Sequence, residues 1–376
     1  MIYVQQAFSM LYLPWTSQLI WKKGFIIEYV DLDSSGIDFG NPIPYESIAT
    51  MLLKEPKFKD KYFLFSHPKV PLVIFGVNQN VYSEVNLDYI KKNKIQIFRR
   101  AGGGGGGAVY VDPGNLTYSF FDTDDGTNYL NFKKYAQPII NVLKKLGVDA
   151  QMSGRNDLTV DGKKFSGMAA LKIGDRFYCG GTLMVDVDLD AANKALNPPK
   201  SKLASKGISS VHSRVTNLRS YFKPQYKDIT IDQIREMILQ EVFDTNDVST
   251  IPTYKLTQED IDAVNAQVKK SFGGPDWVMG KQYHDDYFHS NHYDGVGNIE
   301  FSFSVDKGII THAKIFGDFN RAGGNLKEIE DKLTGTPYKK DNLVEAFRTS
   351  SLEHNIGKVT PEQMTDLLLD AKYQEG

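Results

Sequence analysis

The chain has 376 residues, of which 41% are hydrophobic and 24% are charged, and its formal net charge is −2. This length is enough for two domains, the composition is that of an ordinary globular protein, and the near-neutral charge argues against a large nucleic-acid surface. The single cysteine, Cys179, excludes a disulfide framework and agrees with a reducing, cytoplasmic location. Apolar side chains in residues 1–30 are interrupted by Pro14 and by glutamines, so we expect neither a signal peptide nor a membrane anchor.

The segment before Arg99 contains both strand and helix patterns. Glu46 falls in the first turn of one predicted helix, where the helix dipole tolerates a carboxylate. β-Branched and aromatic runs predict strands over 25–32, 62–66, 71–77 and 95–98, and helical spacing predicts helices over 45–54 and 85–92.

A glycine run separates two of the predicted strands. Arg99 and Arg100 end the first strand, and Ala101 and Gly102–Gly107 precede the apolar residues from Ala108 onward. Glycine lets the backbone approach a ligand and turn its N–H groups toward an anion, and arginine can clamp a phosphate or carboxylate. The run lacks the Gly-Lys-Ser/Thr ending of a P-loop. On this segment alone, two interpretations therefore stay open: a loop that binds phosphate and an inert glycine loop.

Residues 154–169 are predicted to form a β-hairpin around an Asp161-Gly162 turn of type I′, since this turn needs φ > 0 at both central positions. Strict pairing outward from the turn joins Val160 to Lys163, Thr159 to Lys164, Leu158 to Phe165 and Asp157 to Ser166. Alternation then separates an apolar face (Leu158, Val160, Phe165) from a polar face (Arg155, Asp157, Thr159, Lys164, Ser166). We interpret the polar face as the floor of an active site; the alternative is a surface hairpin with a solvated outer face.

The remaining chain predicts further elements and a domain boundary. Cys179 has no histidine or carboxylate placed beside it, so we expect a buried, inert thiol. Gly273-Gly274-Pro275 breaks the chain, which predicts a large domain over 1–273 and a small α+β domain over 274–376. His284, His289 and His292, with Asp285 and Asp286, match no metal-site spacing and are interpreted as a polar connection. Strands are predicted over 116–121, 182–189, 299–305 and 309–316, and helices over 132–146, 228–242, 258–268, 324–333, 341–347 and 360–369.

Several short motifs follow one another in order between residues 70 and 220. They are VIFGVNQN (73–80), RR (99–100), GGGAVY (105–110), GN (114–115), YS (118–119), GRNDL (154–158), KFSG (164–167), GTL (181–183), KGI (206–208) and SRVTNL (213–218). In this order they resemble the lipoate–protein ligase A family, and residues 315–319 (IFGDF) are similar to the accessory domain of that family.

The resemblance implies an α+β fold of the biotinyl/lipoyl-ligase type, with a mixed, largely antiparallel sheet flanked by helices and a small α+β C-terminal accessory domain. It implies a reaction in which ATP and lipoate, or octanoate, form an acyl-adenylate and pyrophosphate. The acyl group then passes to a lysine on the lipoyl domain of a 2-oxoacid dehydrogenase subunit or on the glycine-cleavage H protein. Mg²⁺ as cofactor and a monomeric protein acting without nucleic acid or membrane are further expectations.

The resemblance also assigns site residues. Lys164 matches the essential lysine of the family, where it would bridge the acyl carboxyl group and the α-phosphate, and Asp157 would help to hold Mg²⁺. Residues 197–217 match a loop that closes over the adenylate. The implied ATP or adenylate contacts are Arg100, Gly107, Ala108, Val109, Tyr110, Asn156, Asp157, Lys164, Thr182 and Arg214, and the implied lipoate contacts are Gly76, Gly105, Gly106 and Lys164.

The chain departs from the family pattern at several of these places. Four residues rather than two separate the arginine pair from the last three glycines, which shifts the alignment of Arg100 by two positions. Val111 and Gly180 replace histidines and Val77 replaces an arginine, in the acyl pocket and on the phosphate side. No tryptophan is present near residues 66–67. These changes imply altered acyl specificity, an unusual acyl carrier or lower activity.

Two alternative functions follow from the same resemblance. An acyl-carrier-dependent octanoyl or lipoyl transferase of this fold needs a nucleophilic cysteine near the first strand of the hairpin, where Ser153 stands instead. A non-catalytic protein that binds lipoyl groups or adenylates agrees with the missing histidines, but the presence of Lys164 and Asp157 argues against it.

Overall fold

The structure is a computed structural model that describes residues 27–100, 107–154, 156–196, 215–271, 275–280, 283–319 and 324–369. Several predictions lie outside the described residues: those for Gly105, Gly106, Arg155 and Arg214, most of the loop over 197–217, and the domain boundary after residue 273.

Strands and helices alternate along the described chain. The strands are β1 (Ile27–Asp31), β2 (Lys61–Ser66), β3 (Leu72–Phe75), β4 (Gln96–Arg99), β5 (Val109–Val111), β6 (Asn115–Thr123), β7 (Gln151–Ser153), β8 (Asp157–Val160), β9 (Lys163–Ile173), β10 (Arg176–Met184), β11 (Thr253–Lys255), β12 (Tyr287–Tyr293), β13 (Gly297–Asp306) and β14 (Ile309–Gly317). The helices are α1 (Pro42–Lys54), α2 (Val81–Glu84), α3 (Leu87–Lys92), α4 (Phe132–Leu146), α5 (Leu189–Ala195), α6 (Ile231–Phe243), α7 (Gln258–Ser271), α8 (Pro275–Met279), α9 (Leu326–Leu333), α10 (Lys340–Arg348), α11 (Leu352–Asn355) and α12 (Pro361–Leu369).

The main sheet, counted over the described residues, has eight strands in the order β11-β1-β2-β6-β10-β9-β8-β7. Only the pairs β1–β11 and β1–β2 are parallel, and the pairs from β2 to β7 are antiparallel. The sheet is therefore mixed and largely antiparallel, as predicted.

Helices cover both faces of the main sheet. On one face α4 and α6 pack over a core that includes Phe120, Phe165 and Phe177. On the other face α1 and α7 pack over a second core that includes Leu64 and Phe121. Because side chains alternate along a strand, the inner strands β2, β6, β9 and β10 contribute to both cores.

Two smaller sheets complete the described fold. One has the order β4-β3-β5 and packs with α2, α3, α5 and α8. The other has the order β12-β13-β14 and packs with α9 to α12 around a separate core that includes Phe301 and Phe347. The small α+β unit predicted for the C-terminal part therefore has a hydrophobic core of its own.

Helix α4 shows how closely sequence signals can set the bounds of an element. The Asn131 side chain accepts a hydrogen bond from the Lys134 N–H and caps the start of the helix. Gly147 ends it in the left-handed conformation, with φ of 105°. The helix runs over Phe132–Leu146, as its apolar spacing predicts.

The strand predicted over 182–189 is wrong in its second half. Strand β10 ends at Met184, and the Asp188 side chain caps helix α5 by accepting from the Ala191 N–H. Between them the chain bends at residues 185 and 186, where the Val185 N–H donates to the Gly114 carbonyl. The alternation of apolar residues thus reflects a bent connection whose Val185 and Val187 side chains are buried, rather than a continued strand.

Within the described ranges, none of the helices combines the length and the apolar character needed to cross a bilayer.

Candidate active site

A cavity of about 360 Å³ lies between helix α1, the glycine-flanked strand β5 and the α1-facing side of the main sheet. Helix α1 contributes Tyr45 and Glu46, and strand β10 contributes Tyr178, Gly180 and Thr182 at every second position. Strand β9 of the hairpin forms part of its floor through Lys164 and Gly167.

The predicted type I′ turn of this hairpin is present, because φ is 50° at Asp161 and 73° at Gly162. The apolar face predicted for the hairpin is buried at Leu158, Val160 and Phe165. The pairs next to the turn are those expected: Val160 with Lys163 and Thr159 with Lys164.

Beyond these pairs the register shifts by one residue. Leu158 pairs with Ser166 and Asp157 pairs with Gly167, so Phe165 is the extra residue of a β-bulge. Ser166 is therefore carried to the buried side, where it is 1% exposed. The prediction that Ser166 lies on the polar face is wrong, because a turn fixes register only up to the first irregularity.

The polar face of the hairpin holds a close ion pair. The Lys164 amine lies 2.6 Å from an Asp157 carboxylate oxygen, and the two side chains are 27% and 22% exposed. The Lys164 carbonyl also accepts a hydrogen bond from the Thr216 N–H at 2.9 Å. The lysine is thus fixed at both its backbone and its side chain, and it lines the cavity.

Gly167 makes room for this lysine. A Cβ atom at position 167 would lie 2.7 Å from the Lys164 Nζ atom, closer than real Cβ atoms come to other atoms. Gly167 lies next to Met168, which pairs with Gly181 on β10. The amine therefore rests directly over the sheet in the cavity, at a place where a side chain would displace it.

Arg99 and Arg100 point to different surroundings. The buried Arg99 guanidinium donates to the carbonyl oxygens of Gln79 at 2.7 Å, Val77 at 3.0 Å, Trp277 at 3.1 Å and Val278 at 3.2 Å. Burial lowers the pKa of Arg99 to about 10. This arginine holds a turn and helix α8 together, and it does not line the cavity.

Arg100 lines the cavity, and its contact with ATP stays a prediction. Its N–H donates to the Phe75 carbonyl at 2.9 Å, which continues the pairing of β4 with β3 by one residue. Its positive charge lowers the pKa values of Glu46 and Tyr178, against the stronger effect of burial. Arg100 is therefore electrostatically coupled to the α1 side of the cavity.

Residues 107–110 form one wall of the cavity. The Ala108 N–H donates to a Glu84 carboxylate oxygen at 3.2 Å, and the Gln79 side chain donates to the same oxygen at 2.5 Å. Within β5, Val109 and Tyr110 pair with strand β3. The buried Glu84 thus anchors the described end of the glycine run, and sequence reasoning had not singled it out.

Two more predicted contacts, Asn156 and Thr182, also line the cavity. The Asn156 side chain donates to the Met168 carbonyl at 2.5 Å, which ties the turn before β8 to β9. Gly76 lies apart from the cavity lining, because its N–H donates to the Gln79 side chain and its carbonyl accepts from Arg99. The assignments of these residues to ATP and lipoate stay predictions.

The residues that sequence reasoning missed are on helix α1 and strands β6 and β10. Tyr45 and Ser119 share a hydrogen bond of 2.5 Å, and burial raises the pKa of Tyr45. Burial raises the pKa of Glu46 to about 7. A signal was available for Tyr45, because it precedes the inward-facing Ile48 by one helical turn.

Cys179 lies in the core on the opposite face of the sheet and is 0% exposed. Burial raises the pKa of its thiol to about 12. The prediction of a buried thiol is confirmed, and the raised pKa agrees with the low reactivity expected for it.

A metal site is not formed by side chains alone in the described part of the chain, where no three His, Cys, Asp or Glu residues are grouped to hold an ion. Mg²⁺ is commonly held by one or two carboxylates together with substrate phosphates. The Asp157 carboxylate, beside a cavity large enough for a nucleotide phosphate, fits that mode of binding.

The mixed, largely antiparallel sheet flanked by helices, with a lysine-lined cavity and a separate C-terminal sheet, defines the class of protein as an α+β fold of the lipoyl-ligase type. The family model for "Lipoyl protein ligase A/B catalytic domain" matches residues 46–243, and that for "Bacterial lipoate protein ligase C-terminus" matches residues 284–368. Lipoate-protein ligase LplJ of Bacillus subtilis is 39% identical over 310 residues, which cover 82% of this chain and 91% of the relative. The chain belongs to the lipoate–protein ligase family.

Solved structures support the same fold. P. falciparum LipL1, solved in complex with lipoate, has a TM-score of 0.62 and 24% identity, covering 87% of this chain and 95% of that one. A lipoate-protein ligase A bound with ATP has a TM-score of 0.52 and 22% identity, covering 68% of this chain and 97% of that one. The predicted family, fold class and enzyme class are confirmed.

Proposed function

We propose that the cavity carries out ATP-dependent ligation of lipoate, or octanoate, to a protein lysine. In the first step a carboxylate oxygen of the acid attacks the α-phosphorus of ATP, and pyrophosphate leaves with the electron pair of the broken P–O bond. In the second step the acceptor amine attacks the acyl carbon, AMP leaves and a proton is lost. Family membership and the relatives solved with lipoate and with ATP support this reaction.

The position of Lys164 is the observation that carries the proposal. The first step brings two anionic groups together, so a cation aligned with both lowers the barrier by positioning and by charge stabilisation. The Lys164 amine is paired with Asp157 at 2.6 Å and lies over Gly167 in the cavity. From there we assign it to the junction between the acid carboxylate and the α-phosphate.

The nucleotide is assigned to the end of the cavity that contains Tyr110, Thr182 and Met184. Residues 107–110 offer backbone groups there, and Asp157 would contribute one oxygen to Mg²⁺ held mainly by phosphates. When bound, Mg²⁺ would neutralise phosphate charge. Arg100 is also assigned to the phosphate groups. Its electrostatic effect on Glu46 indicates that it lies on the side of the phosphates that faces the acid.

Acceptors are assigned by family membership to lipoyl domains of 2-oxoacid dehydrogenase subunits and to the glycine-cleavage H protein. A monomer acting in the cytoplasm is part of the same proposal. The near-neutral charge of the chain gives no reason to expect a nucleic-acid partner.

The transferase alternative has little support in the site. A thiol that forms an acyl-enzyme needs a lowered pKa and access to substrate. Cys179 has neither, because it is buried on the far face of the sheet with a raised pKa. Ser153 stands on β7 at the predicted place of that nucleophile.

ATP–pyrophosphate exchange with lipoate or octanoate tests the proposal. We expect acid-dependent exchange in the wild type, its loss in Lys164→Ala, and its retention in Lys163→Ala, which removes the exposed neighbouring lysine of the same hairpin. Binding of acid without exchange in the wild type would favour a non-catalytic protein. Acyl transfer from a thioester donor without ATP would favour the transferase.

A further inference from the structure

Glu84 is the last residue of helix α2, and its carboxylate connects two parts of the chain at the cavity. The side chain lines the cavity although the residue is only 4% exposed. One carboxylate oxygen accepts from the Ala108 N–H at 3.2 Å and from the Gln79 side chain at 2.5 Å. The carbonyl end of the Gln79 side chain accepts in turn from the Gly76 N–H. Buried hydrogen bonds through Glu84 therefore join the cavity wall 107–110 to the turn that follows β3.

The hydrogen bond to Glu84 fixes a part of the wall that the sheet does not. Strand β5 begins at Val109, which pairs with Ile74 on β3, so Ala108 lies outside this ladder. The glycine run precedes Ala108 in the sequence, and glycine restricts the backbone less than other residues do. A wall that is held in its binding geometry before the nucleotide arrives loses less conformational entropy on binding. The carboxylate of Glu84 provides this hold at the Ala108 N–H.

The C-terminal sheet contacts the same segment of the chain. The Gly317 N–H at the end of β14 donates to the Asn78 carbonyl at 2.8 Å. On β13, Glu300 is 1% exposed, and its carboxyl group accepts from the Ser83 hydroxyl at 3.5 Å. Ser83 immediately precedes Glu84 on α2, so this sheet contacts the helix that positions the Glu84 carboxylate.

The charges of this contact allow two carboxyl groups to be buried in it. The negative charge of Glu84 acts on the buried Arg99 and raises its pKa, against the stronger effect of burial. Burial and the charges of Glu84 and Asp318 raise the pKa of Glu300 to about 8. Glu300 is therefore mainly neutral at pH 7 and does not repel Glu84. The pair can stay in place as one charged and one neutral carboxyl group.

We infer that Glu84 is a positioning residue for the nucleotide-binding wall of the cavity, and that Glu300 supports it through the contact of β13 with α2. In this role Glu84 acts through the Ala108 backbone rather than on the reacting atoms. The inference rests on the proposed function, because residues 107–110 are assigned there to the nucleotide. It extends that function by giving the C-terminal sheet a part in the binding of ATP.

Substitutions of Glu84 test the first part of the inference, with the KM for ATP and kcat measured by ATP–pyrophosphate exchange. Glu84→Ala removes the acceptor and should raise the KM for ATP by about 10-fold, as the loss of a net hydrogen bond provides. The value of kcat should fall by less, because Lys164 is unchanged. Glu84→Gln keeps an oxygen acceptor and should recover most of the loss.

A merely structural role of Glu84 predicts a different result. It would lower the folded fraction, and with it kcat, while the KM for ATP stayed at the wild-type value. Thermal unfolding measures the change in stability of each variant. Glu84→Met, which fills the space without an oxygen acceptor, replaces the alanine variant if that variant fails to fold.

A double-mutant cycle tests the second part. Glu300→Ala should raise the KM for ATP by about 3-fold in the wild-type background and should have no effect in the Glu84→Ala background, because it acts through Glu84. Glu300→Gln is neutral, keeps an acceptor for Ser83 and should recover most of this loss. The matched control is Glu353→Ala, which removes an exposed carboxylate from α11 and should leave the KM unchanged.

Two results would overturn the inference: a wild-type KM for ATP in both the alanine and the methionine variant of Glu84, or a Glu300→Ala effect of equal size with and without Glu84. Binding of α,β-methylene-ATP, measured by calorimetry, separates the inference from the proposed function. Weaker binding in Glu84→Ala, without any exchange in the wild type, would count against the proposed function alone. Lys164-dependent exchange with equal binding in Glu84→Ala would count against this inference alone.

Discussion

The Lys164 amine and the Asp157 carboxylate lie 2.6 Å apart although their strands are not in simple register. The bulge at Phe165 places Gly167, rather than Ser166, opposite Asp157. The gap above Gly167 is where the lysine amine lies. The ion pair is therefore a product of the irregularity in the hairpin.

Asp157→Asn should reduce ATP–pyrophosphate exchange by about 100-fold, because the lysine loses its charged partner and Mg²⁺ would lose the negative charge of this ligand. Since both side chains are partly exposed, the thermal midpoint should change little. Asp161→Asn is the matched control, because asparagine tolerates the positive φ of this turn position. Equal exchange rates in the two variants would show that Asp157 takes no part in the reaction.

Gly167→Ala should lower the exchange rate by at least about 10-fold with little loss of stability, because the new methyl group displaces a flexible amine rather than the backbone. Steady-state ATP–pyrophosphate exchange measures the loss of rate, and thermal unfolding measures the change in stability. A variant with normal exchange would show that the lysine works from another position.

Substitution of the two arginines should affect different properties: stability for Arg99 and the exchange rate for Arg100. Arg99→Met leaves buried carbonyl oxygens without donors and should reduce the free energy of unfolding by roughly 3 kcal/mol. Arg100→Met should mainly reduce exchange, because its side chain lines the cavity. Denaturant titration and exchange of both variants check this, and comparable losses of stability would contradict it.

The stability of the ligand-free protein should depend on pH through Glu46. Its pKa in the folded state is raised from 4.5 to about 7, so the folded state binds the proton more tightly. The associated stabilisation is complete below pH 4.5 and is lost as pH rises through about 7. Relative to Glu46→Gln, the wild type should lose roughly 3 kcal/mol over this window, as shown by urea titrations at several pH values. The charged and titratable groups that face Glu46 in the cavity are Arg100, Tyr45 and Tyr178. If the wild type instead became more stable than Glu46→Gln as pH rises, the assignment of a raised pKa to Glu46 would be refuted.

Cys179→Ala should leave ligation unaffected and cost about 1 kcal/mol of stability, because the thiol is a small, buried apolar group. In the native wild type this thiol should resist alkylating reagents. Loss of acyl transfer in the alanine variant at unchanged stability would revive the thiol-dependent mechanism.

Local chemistry made much of this structure predictable from sequence. Asp161-Gly162 specifies its turn, and the apolar spacing of 132–146, followed by Gly147, specifies helix α4. The bulge at Phe165 was not predictable, because turn residues do not encode where a ladder is interrupted.

The residues of the site were only partly predictable from the sequence. The ordered motifs located Lys164, Arg100 and the wall formed by 107–110. Glu46 could not be placed, since only the packing of α1 against β10 brings its carboxylate to the cavity. The apolar alternation at 182–189 was misleading, because Val185 packs into the core although its N–H donates to the Gly114 carbonyl outside the strand ladder.

The turn over 76–80 serves two parts of the molecule at once. Its carbonyl oxygens accept from Arg99, and the Asn78 carbonyl also accepts from the Gly317 N–H at the end of β14. A mutation in this turn should therefore be pleiotropic, altering both the seating of the C-terminal sheet and the cavity wall. Second-site suppressors of such a mutation are expected on either side of the turn, in β14 as readily as in α8.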